Sequence, residues 1–178
     1  KVKFAHLEHV DDVVAWDGSQ VPLFGFDQLE HFERSQFFYM LSRNRSDSGV
    51  SPYIRGTCNP NADSWLAEFL AWWIDQGTGF PVPERAGVLR WFVRDGDLLV
   101  WADSREELLA ADPESDPKSV TFIPGTIFDN KIGMMNDPKY LGNLKALARV
   151  ERERLLGGNW KIRPAAGLLF QREWCPAL

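Results

Sequence analysis

Cysteine is nearly absent. Cys58 and Cys175 are the only two, too few for a disulfide framework and without the spacing of a metal site. A reducing, cytoplasmic setting is therefore expected. No window reaches 18 uncharged apolar residues, which excludes a helical membrane span and any membrane partner of that kind. No basic-then-apolar leader opens the chain. It begins on Lys1 rather than Met, and it reads as a fragment of a longer parent. An excess of positive charge is missing too. The 20 Lys and Arg stand against 25 Asp and Glu, a formal −5, which argues against a simple basic nucleic-acid binder. The balance is uneven: from Asp137 onward eight basic residues face four acidic ones, a net +4, leaving −9 on residues 1–136. A modest basic tail on an acidic body is compatible with a polyanion at one end and does not require one.

What is present is enough for a core. With 178 residues, 44% of them apolar, the chain can form one domain with a small appendage. Eight tryptophans are many, and core and subdomain contacts account for them. Alternation over residues 1–7 predicts a short strand, and residues 13–16 a strand end before Asp17-Gly18. The nearly continuous apolar run 21–26 has the pattern of a buried parallel strand, as does 52–57. Helical spacing covers 33–45 and 63–76, with Gly77 as a stop. Asp95-Gly96 between 88–94 and 97–101 predicts a hairpin with a type I′ turn. A short helix at 104–110, a strand at 119–124 and a long helix from Asp137-Pro138 to about 156 follow, the last ended by Gly157-Gly158. Residues 168–170 form a further candidate strand. The strand–helix–strand–helix order predicts part of a parallel α/β sheet, followed from about Gly77 by a smaller α+β subdomain.

An apolar strand ending in an acid, Leu23-Phe24-Gly25-Phe26-Asp27, puts a carboxylate at the carboxyl edge of a sheet, where open α/β sheets bind ligands. In nucleotide hydrolases such an acid holds the Mg²⁺ that bridges the phosphates. A strand that merely ends in a solvated Asp gives the same pattern. His6-x-x-His9 with His31 invites a zinc reading, but no fourth ligand accompanies them.

The surroundings of Asp27 are far more specific. The segments are Phe26-Asp27-Gln28-Leu29-Glu30-His31-Phe32, Gln36-Phe37-Phe38-Tyr39-Met40-Leu41-Ser42-Arg43-Asn44-Arg45-Ser46 and Arg55-Gly56-Thr57-Cys58-Asn59-Pro60. They are followed by Phe122-Ile123-Pro124, Asp129-Asn130, Asp137-Pro138-Lys139-Tyr140-Leu141-Gly142-Asn143-Leu144, Glu153-Arg154-Leu155-Leu156-Gly157-Gly158-Asn159-Trp160 and Pro164-Ala165-Ala166-Gly167-Leu168-Leu169-Phe170. In this order, over nearly the whole chain, they resemble the large subunit of tailed-phage terminase, the ATPase motor that packages viral DNA.

The resemblance implies a partial P-loop NTPase sheet with the second half of the ATPase core at 1–76. It further implies a lid subdomain at 77–160 and, at 161–178, a connection toward a nuclease domain that this chain lacks. It puts Asp27 at the Walker B acid, the metal-holding position, and Gln28 where the catalytic Glu usually stands. Thr57 and Asn59 fall in the motif that couples hydrolysis to DNA movement. ATP and Mg²⁺ are the implied cofactors of an intact parent, with none expected for this chain alone. Double-stranded DNA, the portal protein, the small terminase subunit and other large-subunit copies are the implied partners, in the host cytoplasm at the procapsid.

There are departures from the family pattern. Gln28 can orient water but takes no proton; Glu30, two residues on, would share its face if the strand continued and so could substitute. No Gly-x-x-x-x-Gly-Lys-Ser/Thr occurs, so no phosphate cradle is present. Arg43 and Arg45 leave their helix near the expected phosphate edge, as an arginine sensor or finger or as a solvated helix end. Lys145, Arg149 and Arg152 recur at i, i+4 and i+7, a stripe for DNA or a neighbouring subunit, or a solvated face paired with Glu151 and Glu153. The isolated chain is expected to self-associate through its strand segment, whose edge the missing half would cover, or to leave that segment partly disordered while the lid stays ordered. The competing function is a non-catalytic interaction module, or a decayed prophage remnant that binds no nucleotide.

Overall fold

The computed structural model describes residues 2–163. The candidate strand at 168–170, the motif at 164–170, Cys175 and all but the start of the 161–178 connection lie outside the described residues. The described residues divide into two compact units, one comprising 2–69 with 160–163, the other 70–159.

In the first unit, β1 (Leu23–Phe26) and β2 (Tyr53–Gly56) pair in parallel with Phe26 opposite Gly56, and α1 (Arg34–Arg43) lies between them in sequence. Phe24 and Phe26 are buried on one face of β1, whereas Leu23 on the other is 48% exposed. The run 21–26 is thus a strand with one covered face among the described residues, not one buried on both. No third strand pairs with β1 or β2 among them.

The covered face is almost wholly aromatic. Phe26 meets Phe32 and Phe37 at centroid distances of 5.2 and 5.8 Å, and Phe37 meets Phe38 and Trp65 at 5.2 Å each. Phe69 of the short α2 (Trp65–Phe69) closes the cluster. Edge-to-face and tilted pairs of this kind add stabilisation beyond their buried area. The helix expected over 63–76 is therefore shorter: α2 ends at Phe69 and a separate 3-10 turn covers Ala71–Trp73.

Residues 2–7 form no strand, and Val10–Trp16 is a 3-10 helix. The reason lies in Gln36, which is buried on α1. Its amide donates to the carbonyls of Leu7 and His9 at 3.2 and 2.9 Å, tying this segment to a helix side chain instead of a sheet ladder. Its own oxygen accepts from the Glu33 N–H at 2.9 Å, so the buried amide is satisfied.

In the second unit, β3 (Arg90–Asp95) and β4 (Leu98–Ala102) form the expected hairpin, with Gly96 at φ 59° in its turn. β5 (Lys118–Val120) adds antiparallel to the other edge of β3. α3 (Arg105–Ala111) is capped by Ser104, whose hydroxyl accepts from the Glu107 N–H at 3.2 Å. Trp73, 1% exposed, is central: it meets Trp72 and Trp101 edge-on, and its indole N–H donates to the Val88 carbonyl at 3.1 Å. The guanidinium carbons of Arg85 and Arg90 each lie 4.8 Å from the Trp72 ring centroid.

The rest of this unit is helical: α4 (Lys131–Asn136), α5 (Pro138–Lys145) and α6 (Arg149–Leu155). Asp137 caps α5 as expected, accepting from the Tyr140 N–H at 3.2 Å. The single long helix does not form, because the chain leaves helical geometry at Ala148 (ψ 151°). The break falls on residues of high helix propensity, so local preference does not cause it.

Candidate functional site

The parallel register of β1 and β2 delivers Thr57 beside the turn that follows β1. Thr57 then makes four hydrogen bonds to that turn. Its N–H donates to the Phe26 carbonyl at 2.9 Å, and its carbonyl accepts from the Leu29 N–H at 2.7 Å. Its hydroxyl accepts from the Gln28 N–H at 3.1 Å and donates to Asp27 Oδ1 at 2.6 Å. A charge-assisted bond of this kind is about twice as strong as a neutral one. Asp27 and Thr57 are both exposed, so the pair faces solvent at the carboxyl ends of the two strands.

Gln28 occupies the left-handed region at φ 57°, the only non-glycine residue with positive φ among the described residues. That conformation costs an L-residue about 1–2 kcal/mol and reverses the chain immediately after Asp27. The reversal carries Leu29 back over β2. A Cβ on Gly56 would lie 2.8 Å from Leu29 Cδ2, so a larger residue there would require the Leu29 side chain to shift.

This geometry corrects the expected relation of Glu30 to Gln28. The strand stops at Phe26, Leu29–His31 is a 3-10 turn, and Glu30 points inward instead of sharing a face with Gln28. Its side chain is 1% exposed. Glu30 Oε1 accepts from the Asn59 amide at 3.2 Å, whereas Oε2 is buried with no hydrogen-bond partner. The His31 ring nitrogen lies 3.8 Å from Oε1, and the Ser64 hydroxyl donates to the Glu30 carbonyl at 3.4 Å. Burial, and secondarily the Glu30 charge, push the Cys58 thiol up to about 11. Asp27, Gln28 and Thr57 thus form an exposed cluster, and Glu30 with Asn59 a buried one beneath it.

Arg43 and Arg45 are not brought to this cluster. The Val21 N–H donates to the Arg43 carbonyl, and the Asn44 amide donates to the carbonyls of Val21 and Tyr53. These bonds pin the end of α1 to the amino ends of β1 and β2, about 13 Å from Asp27 across a four-residue strand. There the Arg43 guanidinium lies over the Tyr39 ring and 3.6 Å from Asp17. The expected position near a phosphate edge is thereby corrected: antiparallel return along β1 carries the end of the helix away from it.

Lys145, Arg149 and Arg152 are exposed, but the break between α5 and α6 falls inside their spacing. Only Arg149 and Arg152 remain on one helix, so the continuous stripe does not exist. Among the described residues no group of three or more His, Cys, Asp or Glu side chains is arranged to hold a metal ion. No helix among them is long and apolar enough to cross a membrane.

The family model described as "Terminase large subunit, T4likevirus-type, N-terminal" matches residues 1–176. The chain belongs to this family. No curated protein and no solved structure matches it. Membership of a terminase large-subunit family assigns it to phage DNA packaging, and the match covers both the Asp27–Thr57 cluster and the second unit. The sequence singles out Asp27, Thr57 and Asn59 in this terminase chain, and the structure brings Asp27 to Thr57 and Asn59 to Glu30, but the reversal at Gln28 was not expected. Gly56, which allows Leu29 a close approach to the end of β2, is a weak sequence signal for it.

Proposed function

We propose that this chain carries the acid and coupling side of an ATP-hydrolysing site, within a terminase large subunit that drives double-stranded viral DNA into a procapsid. On this reading residues 1–76 belong to a P-loop α/β core and residues 77–160 to its lid. The portal, the small subunit and further large-subunit copies are the partners. The observation that carries the proposal is the Asp27–Thr57 bond at the carboxyl ends of two adjacent parallel strands, the edge where such sheets bind ligands.

The donor chemistry fits Mg²⁺. Asp27 offers a hard carboxylate oxygen at an exposed edge, and Mg²⁺ commonly takes one or two carboxylates together with substrate phosphates and waters. When bound, the ion supplies neutralisation of phosphate charge. Asp27 would hold it, and the Gln28 amide would orient water without accepting its proton. Thr57 bridges Asp27 and the Gln28 backbone, so displacing the carboxylate moves the segment that begins at Thr57.

Thr57→Val keeps the shape of the side chain and deletes both hydroxyl bonds. In the complete large subunit we expect it to lower ATP turnover by about 10- to 100-fold, whereas Thr57→Ser retains most of it. A valine variant as active as the wild type would remove the support for this reading.

One observation favours the non-catalytic alternative: Gln28, an amide, stands where a carboxylate base is expected. Gln28→Glu in the complete subunit is expected to raise steady-state turnover by about 100-fold if it restores a general base. An unchanged rate would place the base elsewhere or leave the chain non-hydrolytic.

A further inference from the structure

We propose that Glu30 is a positioning residue, a buried strap that holds the segment carrying Thr57 against the Asp27 turn through its bond to Asn59. Three observations converge on it. The Glu30 side chain is almost fully buried, and one of its oxygens has no partner, an expensive arrangement that a merely structural position would avoid with an apolar side chain. Its other oxygen accepts from the Asn59 amide, two residues beyond Thr57. Its backbone carbonyl accepts from Ser64, on the far side of the same loop. The turn and the loop are thus joined twice. Thr57 joins them at the exposed edge and Glu30 from beneath. Its consequence for turnover rests on the reading of Asp27 and Thr57 given above. The strap itself does not.

Cys58 lies between Thr57 and Asn59 and is partly buried, so its reaction with a thiol reagent reports opening of this loop. The experiment uses this chain with Cys175→Ser, without nucleotide, and follows Cys58 modification by Ellman's reagent. Glu30→Ala is expected to accelerate modification roughly 10- to 100-fold, because a hydrogen bond to a charged group is lost from a buried site. Asn59→Ala removes the same bond from the other side and should act alike. Glu30→Gln keeps an acceptor oxygen for Asn59 while removing the charge, and should remain within about threefold of the parent.

Equal acceleration in the Gln and Ala variants would trace the protection to charge alone and overturn the strap. So would an Asn59→Ala protein as protected as the parent. If Glu30→Ala does not fold, the Asn59→Ala and Glu30→Gln pair decides. In the complete subunit, Glu30→Ala is then expected to lower kcat with the KM for ATP unchanged, with Glu30→Gln restoring it. Altered Cys58 protection without any Asp27-dependent turnover would keep the strap and reject the ATPase reading. Unaltered protection alongside Asp27-dependent turnover would do the reverse.

Discussion

Replacing Trp73 by Ala should lower the stability of the second unit by about 3–5 kcal/mol, the usual cost of truncating a fully buried Trp. Its indole is 1% exposed and meets Trp72 and Trp101 at centroid distances of 5.3 and 6.1 Å. Its N–H is bonded to the Val88 carbonyl, ahead of the hairpin, so truncation also leaves a carbonyl without its partner. Trp73→Phe keeps most of the apolar area and loses only that bond, for an expected cost of about 1–3 kcal/mol. Urea unfolding followed by circular dichroism measures both. An alanine variant with an unshifted midpoint would show that the tryptophans do not form the core of this unit.

Local chemistry explains which elements were legible before the structure. The hairpin follows from Asp95-Gly96, since its turn needs positive φ, and α3 and α5 follow from the caps Ser104 and Asp137. The first parallel strand follows from the apolar run before Asp27; the second lies where 52–57 predicts a strand, but it is largely exposed and not the buried strand expected there. Elements decided by distant partners were not legible. The Gln36 amide occupies carbonyls at Leu7 and His9 that alternation alone would give to a ladder. The amphipathic pattern over 63–76 is real, yet it is divided between α2 and the 3-10 turn beyond it, in different units. α4 was missed because Asn130 was read as part of a motif, not as the cap it forms with the Gly133 N–H at 2.8 Å.

The site divides in the same way. Asp27 stands out as the acid that ends an apolar strand, whereas Thr57 and Asn59 are singled out only by the family resemblance. The role of Glu30 depends on one backbone angle at Gln28, a residue with no strong preference for the left-handed region. Were β1 to continue through residue 30, alternation would put Gln28 and Glu30 on one face with Phe24 and Phe26. The reversal buries Glu30 against Asn59 instead.

Asp27→Asn in the complete large subunit tests the central claim most directly. The amide oxygen can still accept from the Thr57 hydroxyl, so the turn and the fold should persist. The charge that would hold a divalent cation is gone. Since phosphoryl transfer depends mainly on positioning and charge neutralisation, ATP turnover is expected to fall by about 1,000-fold or more, with circular dichroism unchanged. An Asn variant that is folded and hydrolyses ATP within about threefold of the wild-type rate would contradict the assignment of Asp27 as the metal-holding acid.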